Sequence, residues 1–264
     1  MISVRNYSLE AANGKNILDS VDLNIGEGQF KILSGPSGSG KTSLLKAILG
    51  LRDKNTVKSQ GEILFDGINL DEINETEKRN ILGHRLTYIP QDPINSFFPD
   101  KTIKNQIIYT LSQRLKKNKK IILEEMEEIF KVLKLYDFDR IMNSYPSQLS
   151  GGMLQRIIIS NSLMLKPQTI LLDEPTSALD EENKLIILNL LASLKGNTTI
   201  LLVSHDIGVI RELETEIVLI DEGKIFFEGN LEQMLEIKGG KWLEEFKNEF
   251  SNDEKVKWEW KDIQ

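Results

Sequence analysis

A glycine-rich run stands between an apolar segment and a helical pattern. The apolar segment covers residues 30–33, and the run after it reads Gly35, Pro36, Ser37, Gly38, Ser39, Gly40, Lys41, Thr42 and Ser43. Glycines let a backbone wrap closely around a ligand, so that successive N–H groups face phosphate oxygens, and a helix start adds positive charge. At this spacing Lys41 can reach the β- and γ-phosphates of a nucleotide, and the Thr42 hydroxyl can bind Mg²⁺. The run therefore predicts a phosphate-binding loop, and its strand–loop–helix setting disfavours a chance glycine turn.

Two carboxylates follow a second apolar segment. Residues 170–172 are Ile-Leu-Leu, and Asp173, Glu174 and Pro175 come next. An enzyme with such a phosphate-binding loop needs an acidic residue at the end of a strand to hold Mg²⁺, and Asp173 is placed for that role. Glu174 stands one residue further on, where a base could orient water towards the γ-phosphate. Alone, the segment fits an exposed acidic turn equally well, but the glycine-rich run favours the metal and base roles.

A third segment combines a helix cap with two further glycines. It reads Leu149, Ser150, Gly151, Gly152, Met153, Leu154, Gln155 and Arg156, and a helical run follows at residues 157–165. Serine is a good N-cap, and the glycines would expose further N–H donors at the start of the helix. The segment predicts a second anion-binding helix start, because a plain glycine turn does not explain the neighbouring residues.

Short β-rich segments alternate with helical ones, which is the pattern of an α/β protein. In the first third of the chain, strands are predicted at residues 2–9, 21–25 and 30–33. A hairpin is predicted at residues 61–70, with Asp66 and Gly67 as its tight turn. Together these strands suggest a small antiparallel sheet beside the main core.

The middle of the chain, residues 102–165, is mostly helical in character. One face of a predicted helix there comprises Ile122, Met126, Ile129, Phe130 and Leu133. The basic run at residues 114–120 is interpreted as a solvated connection between helices rather than a phosphate- or lipid-binding surface. Strand signals return at residues 169–172, 198–203 and 217–220. A helical insert is therefore predicted to interrupt an α/β core.

The composition limits the class of protein. The chain has 264 residues, and 33 Lys and Arg against 40 Asp and Glu give a net charge of −7. This acidic balance argues against a general nucleic-acid binder, which normally carries a basic excess. The absence of cysteine excludes disulfides, thiolate metal sites and cysteine nucleophiles. Since no apolar run approaches the roughly 18 residues of a membrane span and residues 1–10 do not resemble a secretory signal, we expect a cytoplasmic protein that reaches a membrane only through partners.

These segments together resemble the motifs of the nucleotide-binding subunits of ABC transporters. The matching motifs are Walker A (GPSGSGKT, residues 35–42), the Q-loop (Gln91), the signature (LSGGMLQR, residues 149–156), Walker B (ILLDEP, residues 170–175), the D-loop (Asp180) and the H-loop (His205). Their order and spacing agree with the family over residues 2–235. On these motifs the chain is identified as a member of that family.

The resemblance implies a fold and a division of the chain. The fold is a P-loop NTPase core of the RecA-like type, with an N-terminal antiparallel β subdomain and an inserted α-helical signature subdomain. Residues 1–240 would form the ABC ATPase domain, with the core at about 1–91 and 163–240 and the helical subdomain at about 92–162. The tail at residues 241–264 has no assigned function, and it could dock a partner or fold back on its own domain.

The resemblance also implies a mechanism that uses ATP and Mg²⁺. Two such subunits face each other head to tail and close over two ATP molecules. In that arrangement Glu174 is the general base, His205 contacts the γ-phosphate, Gln91 contacts the attacking water, and Asp180 links the paired sites. The ligands of Mg²⁺ would be Thr42, Gln91 and Asp173. The signature residues acting on the partner's nucleotide would be Ser150, Gly151, Gly152 and Gln155.

Two segments resemble one subfamily in particular. QDPINSFFP at residues 91–99 and YPSQLSGGM at 145–153 are similar to segments of importers for peptides and nickel, and GGMLQR is most like the nickel and metal-chelate members. The subfamily implies two integral-membrane permeases, a second and commonly different ATPase subunit, an extracytoplasmic substrate-binding protein, and a peripheral position on the cytoplasmic face of the membrane. It implies no nucleic-acid partner. A homodimer, an ABC exporter and a soluble non-transport ABC ATPase are the alternatives, and the substrate is left open.

One position departs from the family pattern. Relatives usually carry an aromatic residue near the end of the first strand, where it stacks on adenine, whereas residues 10–14 here are Glu-Ala-Ala-Asn-Gly. Tyr7 stands too early in the strand to replace it. We therefore expect weaker stacking on adenine and looser selectivity between nucleotides.

Overall fold

Two β-sheets and the helices around them make up residues 1–51, 55–177 and 179–253, the part of the chain that the computed structural model describes. In chain order the strands are β1 Ile2–Ala11, β2 Asn16–Ile25, β3 Phe30–Ser34, β4 Thr56–Phe65, β5 Ile68–Asn69, β6 Leu86–Ile89, β7 Thr169–Asp173, β8 Thr199–Val203, β9 Glu216–Asp221 and β10 Lys224–Gly229. The α-helices are α1 Lys41–Ile48, α2 Glu75–Ile81, α3 Ile103–Leu115, α4 Lys119–Val132, α5 Phe138–Asn143, α6 Gly151–Met164, α7 Glu181–Ser193, α8 Ile207–Leu213, α9 Leu231–Glu236 and α10 Lys241–Asp253. Short 3₁₀ helices span Ile94–Ser96 and Pro146–Gln148.

The larger sheet has the strand order β10-β9-β3-β8-β7-β6 and is parallel except for β10. Its strands β3, β7 and β8 are buried along their whole length. Alternate residues of these strands belong to two separate hydrophobic clusters. Since successive side chains of a strand point to opposite faces, each cluster covers one face of the sheet. The predicted α/β class and the strand signals in the last third of the chain are confirmed.

The prediction that grouped residues 30–33 with the antiparallel sheet is wrong. These residues lie in β3, which pairs in parallel with β8 on one side and β9 on the other, with Ile32 opposite both Leu202 and Ile217. Phe30 and Ile32 belong to one hydrophobic cluster and Leu33 belongs to the other, so apolar residues lie on both faces of this strand. A strand of a one-sided antiparallel sheet would instead alternate apolar and polar residues.

The smaller sheet is antiparallel, with the order β2-β1-β4-β5. Its buried residues share a hydrophobic cluster with α1 and with one face of the parallel sheet. The predicted hairpin is confirmed, since Phe65 of β4 pairs with Ile68 of β5. Asp66 and Gly67 between them have φ values of 48° and 77°. Both lie in the left-handed region, as a two-residue type I′ turn requires.

Helices α3, α4, α5 and α6 pack against one another and form the helical middle of the chain. Ile129 on the predicted apolar face of α4 is partly buried, and the other four residues of that face, Ile122, Met126, Phe130 and Leu133, are completely buried. Because α6 also packs against β6, this helix joins the helical region to the parallel sheet. The division into subdomains at about residues 91 and 162 stays a prediction. The basic run connects α3 to α4, as interpreted, and Lys117 within it pairs with Glu125.

The described part of the tail is the helix α10, which packs against α8. Leu243, Phe246 and Phe250 are buried there, and the Arg211 guanidinium donates to the backbone oxygen of Phe250 at 3.0 Å. Up to its end at Asp253, the tail thus folds back on its own domain. Trp258 and Trp260 lie outside the described residues. Across the described residues, every helix is either too short or too polar to cross a bilayer.

Truncating a buried residue of α4 should destabilise the fold, because Phe130 is completely buried and contacts Phe138 edge-on at a centroid distance of 5.2 Å. We expect Phe130→Ala to lower the free energy of unfolding by about 3–5 kcal/mol in urea denaturation. Val132→Ala, on the exposed side of the same helix, should change it by less than about 0.5 kcal/mol. Equal effects of the two substitutions would contradict the packing described here.

Candidate nucleotide-binding and hydrolytic site

The glycine-rich loop links β3 to α1, and its backbone packs closely against the backbone of two other segments of the chain. Gly35 and Gly40 have φ values of 155° and 105°. A Cβ added at Gly35 would lie 2.0 Å from the backbone oxygen of Ile220, and one at Gly40 would lie 2.8 Å from that of Ile17. Both positions therefore require glycine, and they give the loop the tight wrap predicted for phosphate binding.

Lys41 opens α1 and is buried inside the loop. Its ammonium donates to the backbone oxygens of Gly35 at 2.8 Å and Pro36 at 2.7 Å. Burial lowers the pKa of Lys41, against the opposing attraction of Glu174, Asp173 and Asp221. A positive charge is thus held at the centre of the loop, at the position predicted for contact with phosphate.

The serines of the loop differ in exposure. Ser37 is exposed, Ser43 is half-buried, and Ser39 is buried. Within the described part of the chain, the Ser39 hydroxyl has no hydrogen-bond partner. A buried polar group without a partner is costly in a folded protein, so this hydroxyl is suited to a ligand in the loop.

Asp173 ends β7 as a buried carboxylate beside the loop. The Tyr88 hydroxyl donates to its Oδ2 atom at 3.3 Å, and the Thr42 hydroxyl is also hydrogen-bonded to it. Burial raises the pKa of Asp173, and these two hydrogen bonds oppose the effect. Burial raises the pKa of Tyr88 as well, with a further contribution from the Asp173 charge. Sequence reasoning missed Tyr88, which stands at the end of β6, three residues before Gln91.

The chemistry of these groups fits Mg²⁺. Thr42 and Asp173 supply neighbouring hydroxyl and carboxylate oxygens, the donors that this ion prefers. In residues 1–51, 55–177 and 179–253, no cluster of three or more His, Cys, Asp or Glu side chains forms a complete metal site.

Glu174 lies at the meeting point of three loops. Its Oε2 atom accepts from the Gln91 amide at 3.1 Å, and its Oε1 atom lies 2.8 Å from Nδ1 of His205. The structure therefore brings together the three residues to which catalytic roles were assigned from the sequence. The Glu174 backbone is in the left-handed region, with φ 45°, and its N–H donates to the oxygen of Val203 at 3.0 Å. Non-glycine residues in this region are strained, and such strain is common at functional sites.

The signature and D-loop residues lie at two other helix starts. Ser150 caps α6 by accepting from the N–H of Met153 at 3.2 Å, as predicted. Asp180 caps α7 by accepting from Asn183, and these hydrogen bonds lower the pKa of Asp180. At the start of α6, Gly151 is exposed and Gly152 is half-buried.

Gln155 is placed differently from the other signature residues. It is buried, and its Nε2 atom lies 3.5 Å from the backbone oxygen of Pro90, next to Gln91 in the same chain. Its Oε1 atom has no hydrogen-bond partner among the described residues. The action of Gln155 on a partner's nucleotide therefore stays a prediction, and its observed contact is with its own Q-loop segment.

Tyr7 is completely buried in the cluster beneath the antiparallel sheet. In this position its ring is closed off from a nucleotide base. The strand end that carries the aromatic residue in relatives has Ala11, which is half-buried, and Ala12, which is exposed. The expected loose nucleotide selectivity stays a prediction, consistent with this placement.

The parallel sheet, the loop before α1 and the acidic end of β7 define a P-loop nucleotide-binding protein. The sequence model of the ABC transporter family matches residues 18–177. The chain belongs to the ABC transporter family, and its fold is that of the family's ATP-binding cassette.

Individual relatives agree with this assignment. The probable peptide ABC transporter ATP-binding protein y4tR of Sinorhizobium fredii is 34% identical over 211 residues, covering 79% of this chain and 63% of that protein. The metal-staphylopine import system ATP-binding protein CntD of Staphylococcus aureus is 31% identical, covering 83% of this chain and 81% of that protein. The dimeric ATP-binding cassette MJ0796, solved in a post-hydrolysis state with ADP and Pi, is 31% identical and has a TM-score of 0.74, covering 88% of this chain and 99% of that one. The chain thus spans less than two thirds of the length of y4tR.

The raised pKa of Asp173 predicts a pH-dependent cost to stability. The folded protein binds this proton more tightly than the unfolded chain does, so stability falls as the pH rises from the ordinary value of 3.8 through the folded-state pKa. We expect Asp173→Asn to raise the urea midpoint of the ligand-free protein at pH 7, and this gain to shrink as the pH falls towards 4. The exposed Asp100→Asn serves as the control. A less stable Asp173→Asn variant at pH 7 would refute the electrostatic explanation.

Proposed function

We propose that this protein is the ATP-hydrolysing subunit of an ABC importer. It would couple ATP binding and hydrolysis to the uptake of nickel or another metal chelate, or of di- and oligopeptides. The observation that carries the proposal is the Glu174 carboxylate, held between Gln91 and His205. A carboxylate oriented on both sides beside a phosphate-binding loop is suited to orient water for attack on a γ-phosphate.

The residues of the loop would bind the triphosphate. Lys41, now on two backbone oxygens, would gain a negatively charged partner, and the N–H groups at the start of α1 would donate to phosphate oxygens. Mg²⁺ would be held by Thr42, Asp173 and Gln91, and when bound it neutralises charge on the phosphates. Glu174 would orient the water and accept its proton, giving ADP and phosphate as products.

His205 would contact the γ-phosphate while Glu174 holds its ring. Two N–H donors would be needed for this, Nδ1 to the carboxylate and Nε2 to a phosphate oxygen, and the imidazolium form of the ring provides both. In this scheme the imidazole is an electrophilic contact and Glu174 is the base. The 2.8 Å separation of the two side chains supports this pairing.

A second ATPase subunit would complete each site. Its signature residues Ser150, Gly151 and Gly152, or their equivalents in a different chain, would meet the γ-phosphate held by the loop of the first subunit, and Asp180 would link the two sites. MJ0796, which is similar over nearly its whole length, is dimeric with ADP and Pi. By analogy with the peptide and nickel subfamily, we favour a heterodimer.

The remaining partners would be two permeases and an extracytoplasmic substrate-binding protein. With these partners, the chain would lie peripherally on the cytoplasmic face of the membrane. The large exposed apolar side chains Ile94, Phe98 and Tyr109 lie at or soon after the Q-loop segment and offer a contact surface for permeases. We propose no nucleic-acid partner, because a net charge of −7 disfavours binding to a phosphate backbone.

Removing the base should stop turnover without preventing nucleotide binding. In assembled complexes we expect Glu174→Gln to lower the rate of ATP hydrolysis by about 10²- to 10⁴-fold, because general base catalysis typically contributes that much. Equilibrium binding of MgATP should be retained. Glu222→Gln makes the same change at another left-handed but exposed residue and should be neutral. Normal turnover by the Glu174→Gln complex would contradict the role given to Glu174.

The substrate can be tested in cells that carry wild-type or Glu174→Gln protein. If the cargo is a metal chelate, growth with scarce metal should show a selective fall in the nickel or other transition-metal content of the mutant cells. The measurement is elemental analysis, with the Glu222→Gln strain as the control. Unchanged metal content, with the mutant protein expressed and assembled, would leave peptides as the cargo.

A further inference from the structure

An ion pair joins helix α7 to the start of α8, next to His205 in the chain. Lys184, in the first helical turns of α7, is only 9% exposed, and its Nζ atom is 2.6 Å from Oδ2 of Asp206. A second carboxylate, that of Glu181, lies 3.6 Å from the same ammonium. Burying a lysine costs desolvation free energy that an apolar residue would not. The pair therefore calls for a role beyond packing.

Asp206 uses both carboxylate oxygens. Its Oδ1 atom accepts from the N–H of Gly208 at 2.7 Å and that of Val209 at 3.3 Å, which begins α8. Its Oδ2 atom is the one that contacts Lys184. A Cβ at Gly208 would lie 3.3 Å from the Lys184 ammonium, so a glycine here leaves room for the lysine to reach the carboxylate.

Asp206 is also the residue that follows His205. The His205 side chain is 61% exposed, so little packing orients its ring, and its direction depends on the backbone on either side. On the preceding side, Ser204 is buried and its N–H donates to the oxygen of Leu33 at 3.2 Å. On the following side, the backbone is fixed by the Asp206 cap and its contact with Lys184.

We propose that Lys184 is a positioning residue that holds His205 against Glu174 by way of Asp206. Lys184 also donates its backbone N–H to the oxygen of Asp180 at 2.9 Å, so it ties the D-loop to the loop that carries His205. The inference rests on the proposed ATP hydrolysis for its kinetic consequence. Its structural consequence, the orientation of His205, does not depend on that function.

The chain offers a matched control. Lys195 follows α7 and donates to the backbone oxygens of Leu213 and Glu214, at the other end of α8. Lys184→Met and Lys195→Met therefore each remove one lysine tie between the same two helices. Only the interaction made by Lys184 involves the residue next to His205, namely Asp206. A general loosening of the two helices would affect both variants, whereas a positioning role affects the first alone.

The direct test is NMR of the full chain labelled at histidine. The sequence has two histidines, so His84 is an internal reference for His205. We expect Lys184→Met to move the His205 ring signals by more than their linewidth, with His84 unchanged, and Lys195→Met to move neither. Asp206→Asn removes the charge but keeps a good N-cap. It should shift His205 in the same way, and it decides the question if Lys184→Met does not fold.

Kinetics provide the second readout. We expect Lys184→Met to lower kcat for ATP hydrolysis by about 10-fold while KM stays within about twofold, because a misplaced catalytic group affects the transition state more than binding. Lys195→Met should keep the wild-type kcat. Unshifted His205 signals in both Lys184→Met and Asp206→Asn, or an equal loss of kcat in Lys184→Met and Lys195→Met, would overturn the inference. A wild-type protein without ATPase activity would instead refute the proposed function, and the NMR result would still decide the positioning role.

Discussion

Parallel pairing of the central strands is the constraint on which the site depends. In a parallel sheet the carboxyl ends of all strands leave at one edge, so the loops that follow neighbouring strands meet there. Here the glycine-rich loop follows β3, Gln91 follows β6, Glu174 follows β7 and His205 follows β8. The register sets Asp173 directly opposite Val203. A slip of one residue would turn the Asp173 carboxylate to the other face of the sheet and away from the loop.

The same edge of the sheet carries groups that oppose folding. Asp173 and Lys41 are both buried, and burial raises the pKa of the first and lowers that of the second, so each charged form is less stable than in water. Glu174 adds a strained left-handed backbone. The two hydrophobic clusters on the faces of the sheet offset these costs. Mg²⁺ would place a positive charge beside Asp173, and the triphosphate would place negative charge beside Lys41. Nucleotide binding would therefore offset the free-energy cost of burying these two charged groups.

Structural features that form within one short segment could be predicted from the sequence. Contacts between segments that are far apart in the chain could not. The glycine-rich loop, the Ser150 cap and the Asp66–Gly67 turn each depend on residues within one short segment, and the structure places all three as predicted. The sheet to which β3 belongs was predicted wrongly, because a strand signal of four residues does not reveal which strands lie beside it. The inward orientation of Gln155 and the contact between Lys184 and Asp206 were also missed. Both depend on how helices pack, and no periodicity in the sequence encodes those contacts.

The helices that begin at the site differ in how their first N–H groups are used. Ser150 caps α6 through the N–H of Met153, the third residue of the helix, so the N–H groups of Gly151 and Gly152 take no part in the cap. Helix α1 begins after Gly40, whose backbone is left-handed, and no side chain caps it. Anion binding at a helix start depends on N–H groups that the helix itself does not use. Ordinary capping would therefore compete with phosphate at α1, whereas at α6 a serine can fix the start of the helix and leave the two glycines to a ligand.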